Sequence, residues 1–135
     1  MINPMDLTGK RILVTGATGG MGRETSLLLS RLGARVVLCD MNEENLKNLM
    51  TELEGDGHSY RVLNLNDIDS IEGLVADLVN EGGPFNGFAH CAGIAQARPL
   101  KMTKTSDIIN QMNPNLFSFI EIVRCLSIKG RIAYE

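Results

Sequence analysis

The sequence predicts an α/β fold of three layers, α/β/α, built on a doubly wound parallel sheet with strand order 3-2-1-4-5. Short apolar runs and helix-like patterns alternate along all 135 residues, a glycine-rich turn leaves the first run directly, and an acid closes the second. Such alternation, with strands apolar on both sides, suits a sheet covered by helices on each face. Right-handed crossovers then put the first strand near the middle and a ligand crevice at the carboxyl ends of strands one and four.

The first strand is Arg11-Ile-Leu-Val14, and Thr15-Gly-Ala-Thr-Gly-Gly-Met-Gly22 follows it. Glycine at Gly16, Gly20 and Gly22 removes a side chain where a backbone must turn sharply, approach a pyrophosphate, or let a helix pack on the sheet. The helix is predicted over Met21–Leu32, with Met21, Leu27, Leu28 and Leu32 on its apolar face and Gly33 as its stop. Its unpaired N–H groups and positive dipole end would face an anion. Thr15, Gly16, Thr18, Gly19, Gly20, Met21 and Gly22 are therefore candidate cofactor-binding positions.

The second strand, Arg35-Val-Val-Leu-Cys39, ends in Asp40, about twenty residues beyond the turn, where a dinucleotide-binding unit places a carboxylate on the adenosine ribose. That carboxylate repels a 2′-phosphate, and neither Thr18 nor Met41 supplies a cation to offset it, so NAD is expected over NADP. A competing reading makes Asp40 only the N-cap of the next helix. That helix is predicted over Glu43–Leu53, with Leu46, Leu49, Met50 and Leu53 on one face, and Gly55-Asp-Gly57 ends it.

The third strand, Tyr60–Leu65, leads through Asn66-Asp-Ile-Asp69 to a helix over Ser70–Glu81 that turns Ile71, Leu74, Val75 and Leu78 inward and breaks at Gly82-Gly-Pro84. The fourth strand, Gly87–His90, runs into Cys91-Ala-Gly-Ile94 at the end of the sheet that holds the glycine turn, making Cys91, Ala92 and Gly93 cleft candidates. A loop through Arg98, read either as a solvated arginine or as a guide for an anionic substrate, reaches helices over Thr105–Met112 and Asn113–Ser127. Lys129-Gly130 turns into a fifth strand, Arg131–Tyr134. The last helix carries Leu116, Phe117, Phe119, Ile120, Ile122, Val123 and Leu126 on more than one face, as expected of a helix that packs on the sheet and also on a second copy of the chain.

With 44% hydrophobic residues and no linker-like stretch, residues 1–135 read as one domain with one core. The formal charge is −3 and the thirteen basic residues are scattered, unlike the footprint of a nucleic-acid binder. No apolar run approaches the roughly twenty residues that span a bilayer, and Met1-Ile-Asn-Pro-Met-Asp6 lacks the regions of a signal peptide, so no membrane role and a cytoplasmic location are expected. Cys39, Cys91 and Cys125 lack C-x-x-C spacing and are expected to be reduced core thiols, with no metal site. His58, in a polar turn, is expected to be solvated.

These residues resemble the short-chain dehydrogenase/reductase family, whose T-G-x-x-x-G-x-G is matched by Thr15, Gly16, Gly20 and Gly22, preceded by a similar Leu7-Thr-Gly-Lys10. The resemblance implies an NAD(P)-binding Rossmann fold and hydride transfer between a nicotinamide cofactor and a small carbonyl or alcohol substrate. The family's fourth strand ends N-N-A-G; here it reads His90-Cys91-Ala92-Gly93, and His90 could replace the first asparagine through a ring N–H. Where the third strand commonly ends in an adenine-binding aspartate, this chain has Asn64 followed by Leu65, and an amide oxygen still accepts from the adenine amine. Asn115-Leu-Phe-Ser-Phe119 resembles the helix whose asparagine helps hold a water in a proton relay, which makes Asn115 the catalytic candidate, with Asn113 a nearby competitor.

The resemblance spans the whole chain but only about the first half of the family's domain, so the expected architecture stops after the fifth strand. The family's catalytic Ser and Tyr-x-x-x-Lys find no counterpart: Tyr60 is followed four places later by Asn64, and Tyr134 by one last residue. Without them the chain is expected to bind more than it catalyses, since orientation and proton transfer are worth many powers of ten. The resemblance also implies a homo-oligomer formed through the last helix. Three readings stand: the cofactor-binding portion of an NAD-dependent oxidoreductase, a non-catalytic dinucleotide-binding or scaffold module, and an epimerase or dehydratase sharing the NAD cleft.

Overall fold

A computed structural model describes residues 2–134. Strands β1 (Arg11–Thr15), β2 (Arg35–Asp40), β3 (Ser59–Val62) and β4 (Gly87–His90) form one parallel sheet in the order β3-β2-β1-β4. β1 is central, pairing Leu13 with Val37 on one side and with Phe88 on the other. The helices are α1 (Gly20–Arg31), α2 (Glu43–Met50), α3 (Ile71–Gly82), α4 (Thr105–Met112) and α5 (Ser118–Leu126).

The period of two in the strands divides the apolar residues between two cores, which is why β1 and β2 read as continuous apolar runs. Ile12, Val14, Val36 and Leu38 face α1 and α2, packing with Leu27, Leu46 and Leu49. Leu13, Val37 and Cys39 face the other way, against Ile71, Val75 and Leu78 of α3 and Ile122, Cys125 and Leu126 of α5. Three layers follow directly.

Several boundaries differ from the sequence reading, each for a local reason. α1 buries Gly22, Ser26, Leu27 and Ser30, whereas Met21 and Leu28 are exposed; the buried serines spend their hydroxyls on the carbonyls of Gly22 and Leu27, and their small size lets the helix lie close to the sheet. β3 stops at Val62 because Asn64 leaves the strand: its Oδ1 accepts from Asn66 N–H at 3.0 Å and its carbonyl from Asp67 N–H at 3.0 Å. α2 ends at Met50, where the Thr51 hydroxyl donates to the Asn48 carbonyl at 2.6 Å.

The fifth strand is reduced to one parallel bridge between Phe85 and Ile132. Phe85 N–H donates to the Arg131 carbonyl and Ala133 N–H to the Phe85 carbonyl, both at 2.9 Å. The bridge lies beside the β4 edge, the place the predicted strand order assigns to strand five. It meets the chain upstream of β4, so no ladder extends from it. His58 is not merely solvated: half-buried, its Nδ1 accepts from Val36 N–H at 3.0 Å and its Nε2 donates to the Glu54 carbonyl at 2.9 Å, so the ring staples the Gly55–Gly57 turn to β2.

The predicted helix from Asn113 opens as a π-helical turn, Asn113–Phe117, between α4 and α5. Pro114 has no N–H to give to the ladder, and the Ser118 N–H reaches back five residues to the Asn113 carbonyl. The carbonyl of Pro114 is thereby released for other partners.

Candidate functional site

A cavity of about 210 Å³ opens at the carboxyl ends of the strands, lined by Thr15, Gly16, Gly19, Cys39, Asp40, Met41, Leu63, Asn64, Leu65, Asn66, Cys91, Ala92, Gly93, Ile94 and Pro114. The fold thus brings together ten of the predicted positions: Thr15, Gly16, Gly19, Asp40, Met41, Asn64, Leu65, Cys91, Ala92 and Gly93. Thr18 lines an adjoining cavity instead, and Gly20, Met21 and Gly22 form the first turn of α1. Asn115 stands beside the cavity and acts on its wall. Cys39, Leu63, Asn66, Ile94 and Pro114 were not singled out in the sequence, although each is the chain neighbour of a predicted position, Pro114 standing between Asn113 and Asn115.

The glycine turn is built by exclusion. Gly16 has φ +63°, and a Cβ there would lie 2.4 Å from the backbone nitrogen of Ala92, so the exit of β4 packs directly on the turn. A Cβ on Gly22 would lie 1.9 Å from the carbonyl oxygen of Gly16, whereas one on Gly20 would meet nothing within 4 Å. Gly20 therefore faces open space at the start of α1, and Gly19, its N-cap, provides no side-chain cap to the first-turn amides. These amides and the dipole suit an anion.

Asp40 closes the other side of the cleft. One carboxylate oxygen accepts from Thr18 N–H at 3.0 Å and the other from Met41 N–H at 2.7 Å, which ties the glycine turn to the end of β2. It is not the cap of α2: Asn42 is, its Oδ1 accepting from Asn45 N–H at 2.9 Å. Each carboxylate oxygen keeps a lone pair for a further donor.

On the β4 side, His90 joins the turn to the π-helical segment. Its Nε2 lies 3.0 Å from the Pro114 carbonyl and its Nδ1 lies 2.8 Å from the Thr15 hydroxyl. A carbonyl only accepts, so Nε2 carries the proton and Nδ1 accepts from Thr15. Burial holds the His90 pKa below the usual imidazole value, opposed by the bond to Pro114. The rings of Phe88 and Phe119, at 5.8 and 5.6 Å, enclose it. The same carbonyl accepts from the buried Ser118 hydroxyl at 3.0 Å.

Asn115 clamps the residue that follows Gly93. Its Oδ1 accepts from Ile94 N–H at 2.7 Å and its Nδ2 donates to the Ile94 carbonyl at 2.8 Å, so the side-chain amide stands in for a neighbouring strand. Asn113, its competitor, makes one long contact, 3.4 Å, to the Asn66 carbonyl. Arg98 is not a free loop cation, because it pairs with Asp107 of α4 at 2.6 Å. Burial pushes the Cys39 thiol up to about 12, so it lines the cavity as an inert group. Away from the cleft, Glu72, Glu121 and Cys125 bring ligand-type atoms within 4.8 Å of one another, but Arg124 already donates to both carboxylates.

No helix among the described residues is long and apolar enough to cross a membrane. The sequence profile of the short chain dehydrogenase family matches residues 10–129. The 3-oxoacyl-[acyl-carrier-protein] reductase FabG of Thermotoga maritima is 35% identical over 132 residues, covering 94% of this chain and 54% of its own length. Among solved structures, the citronellol catabolism dehydrogenase AtuB of Pseudomonas aeruginosa superposes with a TM-score of 0.82 at 26% identity, over 93% of this chain and 52% of that one. An actinorhodin polyketide ketoreductase with NADPH superposes with a TM-score of 0.80 at 28% identity, over 87% of this chain and 46% of that one. The chain spans about half the length of these relatives. A parallel sheet in this order, a glycine turn at its centre and matches over nearly every residue lead to one statement: the chain belongs to the short-chain dehydrogenase family of NAD(P)-binding oxidoreductases.

Proposed function

We propose that the chain binds NAD in preference to NADP in the cavity between the glycine turn, Asp40 and the exit of β4. The observation that supports this most directly is the Asp40 carboxylate, seated at the rim with a lone pair on each oxygen after accepting from Thr18 and Met41. Ribose hydroxyls fit those lone pairs; a 2′-phosphate is repelled by them. Open space at Gly20 and the uncapped start of α1 suit the pyrophosphate. Asn64 and Leu65, with Met41 across the cavity, suit the adenine, and Cys91, Ala92 and Gly93 form the wall leading to the nicotinamide end.

Bound nicotinamide supplies hydride chemistry, and the residues of the chain bind and orient it. Asn115 fixes the Ile94 backbone and, on the family's pattern, helps hold a water in a proton relay. We read the whole protein as an oxidoreductase acting on a carbonyl or alcohol. The 135-residue chain by itself would hold cofactor with little turnover: Tyr60 donates to Glu43 at 3.1 Å and Tyr134 is exposed, and neither lines the cleft. That observation also favours the second reading, a non-catalytic binding module. A cytoplasmic location and a homo-oligomer formed through α5 complete the proposal.

Titration of NADH and NADPH by nicotinamide fluorescence tests it, aided by the absence of tryptophan. NADH is expected to bind the more tightly, and Asp40→Ala to erase most of the difference. Equal affinities in the unmodified chain would remove the basis for choosing NAD.

A further inference from the structure

Behind the turn that Asp40 holds lies a second cavity, of about 230 Å³, lined by Thr18, Arg23, Asn45, Asn48, Leu49 and Glu52. Thr18 joins the two sites: its N–H donates to Asp40, and the residue borders the second cavity. A hydroxyl, two carboxamides and a guanidinium on its wall can all donate to an anion. Among the residues lining the two cavities, Arg23 is the cation, and it is engaged. Its guanidinium pairs with Glu52 across the cavity and with Glu24 at 3.0 Å on the outside.

Resting on the proposal that this cleft binds a dinucleotide, we infer that Glu52 is a second determinant of cofactor choice. It acts through Arg23. A phosphate on the ribose hydroxyl gripped by Asp40 would need a counter-charge nearby, and the cation that borders the adjoining cavity, which Thr18 shares, is the Arg23 guanidinium. Glu52 neutralises it and adds a carboxylate that repels the phosphate. Asp40 thus disfavours NADP at the ribose, while Glu52 withholds the group that would compensate. Thr18, Asn45 and Asn48 are neutral donors that accommodate either state of the cavity.

The pair is solvent-accessible, with side chains 41% and 45% exposed, so its substitution leaves the cores intact. The same exposure limits the effect to the scale of a screened charge contact.

The test is the ratio of the NADPH and NADH dissociation constants, measured by calorimetry on the unmodified chain, Glu52→Gln, Glu24→Gln and Arg23→Gln/Glu52→Gln. Glu52→Gln is expected to lower the ratio about five-fold through tighter NADPH binding, with NADH affinity unchanged. Adding Arg23→Gln should return the ratio to its original value. Glu24→Gln removes an equal charge from the same arginine outside the cavity and should leave the ratio within about two-fold. An unchanged ratio in Glu52→Gln, an equal response in Glu24→Gln, or persistence of the gain without Arg23 would each overturn the inference while leaving NADH binding standing. Failure of the unmodified chain to bind either dinucleotide would defeat the cofactor reading, and this inference with it.

Discussion

The same substitution two residues apart in α1 separates the packing role of the glycine turn from its binding role. In Gly22→Ala the new methyl would lie 1.9 Å from the Gly16 carbonyl oxygen, 2.7 Å from its carbon and 2.9 Å from the Ala17 Cα. All three are backbone atoms, so relief requires moving the turn by about 1 Å, an overpacking cost of about 3 kcal/mol. The gain from replacing a helical glycine by alanine is about 1 kcal/mol, leaving a net loss of about 2 kcal/mol, or about 8 °C in Tm for a domain of this size. In Gly20→Ala the methyl meets nothing within 4 Å, so only the helix gain remains and Tm should hold or rise by up to about 4 °C. Affinity should behave in the opposite way. The Gly20 methyl projects where the proposed pyrophosphate approaches, and a loss of at least about ten-fold in NADH affinity, about 1.4 kcal/mol, is expected. Thermal unfolding by circular dichroism and NADH titration on both variants provide the check. Equal destabilisation, or a stable Gly20→Ala that binds NADH normally, would refute the assignment of these two positions.

His90 should make stability rise with pH: its folded pKa lies below the unfolded value, so the unfolded state binds more protons between the two, and stability present above about 6.5 is lost as pH falls through the folded pKa. His90→Asn should flatten that part of the Tm profile between about pH 7 and 5 relative to the unmodified chain; an unaltered slope would show that the ring titrates normally. Asn115→Ala removes two bonds to Ile94, costing about 1 to 2 kcal/mol at this exposed site and accelerating hydrogen exchange at the Ile94 amide, while Asn113→Ala leaves that amide unaffected. Sedimentation at tens of micromolar should reveal self-association that Ile120→Glu abolishes, because Phe119, Ile120 and Val123 are each at least 40% exposed on α5; a compact monomer would contradict it.

What the sequence displayed well were features that repeat or that cannot be replaced. β1 and β2 are buried on both faces, so their apolar runs had no competing reading, and the glycines at Gly16 and Gly22 stand where any side chain collides with backbone. Asp40 was legible because a strand end, an acid and a glycine turn recur at one spacing. The helix faces were less legible. Met21 and Leu28 fit an apolar period yet lie exposed, while Ser26 and Ser30 take the buried positions, since a helix lying close to the sheet needs small residues with local hydrogen bonds rather than large apolar ones. Strand ends also misled, because at Asn64 a side-chain oxygen competes with the ladder for the backbone.

The π-helical turn was least legible, although it decides most about the site. Pro114 in a helical pattern ordinarily signals a kink or a stop; here the surrounding contacts turn the lost hydrogen bond into a junction. The freed Pro114 carbonyl takes donors from Ser118 on its own helix and from His90 on β4. His90 in turn holds Thr15, the first residue of the glycine turn. The next residue, Asn115, is thereby carried to the Ile94 backbone beyond Gly93. One proline thus links the glycine turn, the β4 exit and the catalytic candidate through side chains distant in sequence. A pattern read along the chain cannot contain that junction, because apart from the local Ser118 bond its hydrogen bonds join residues 21 to 75 positions apart, which only the folded chain brings together.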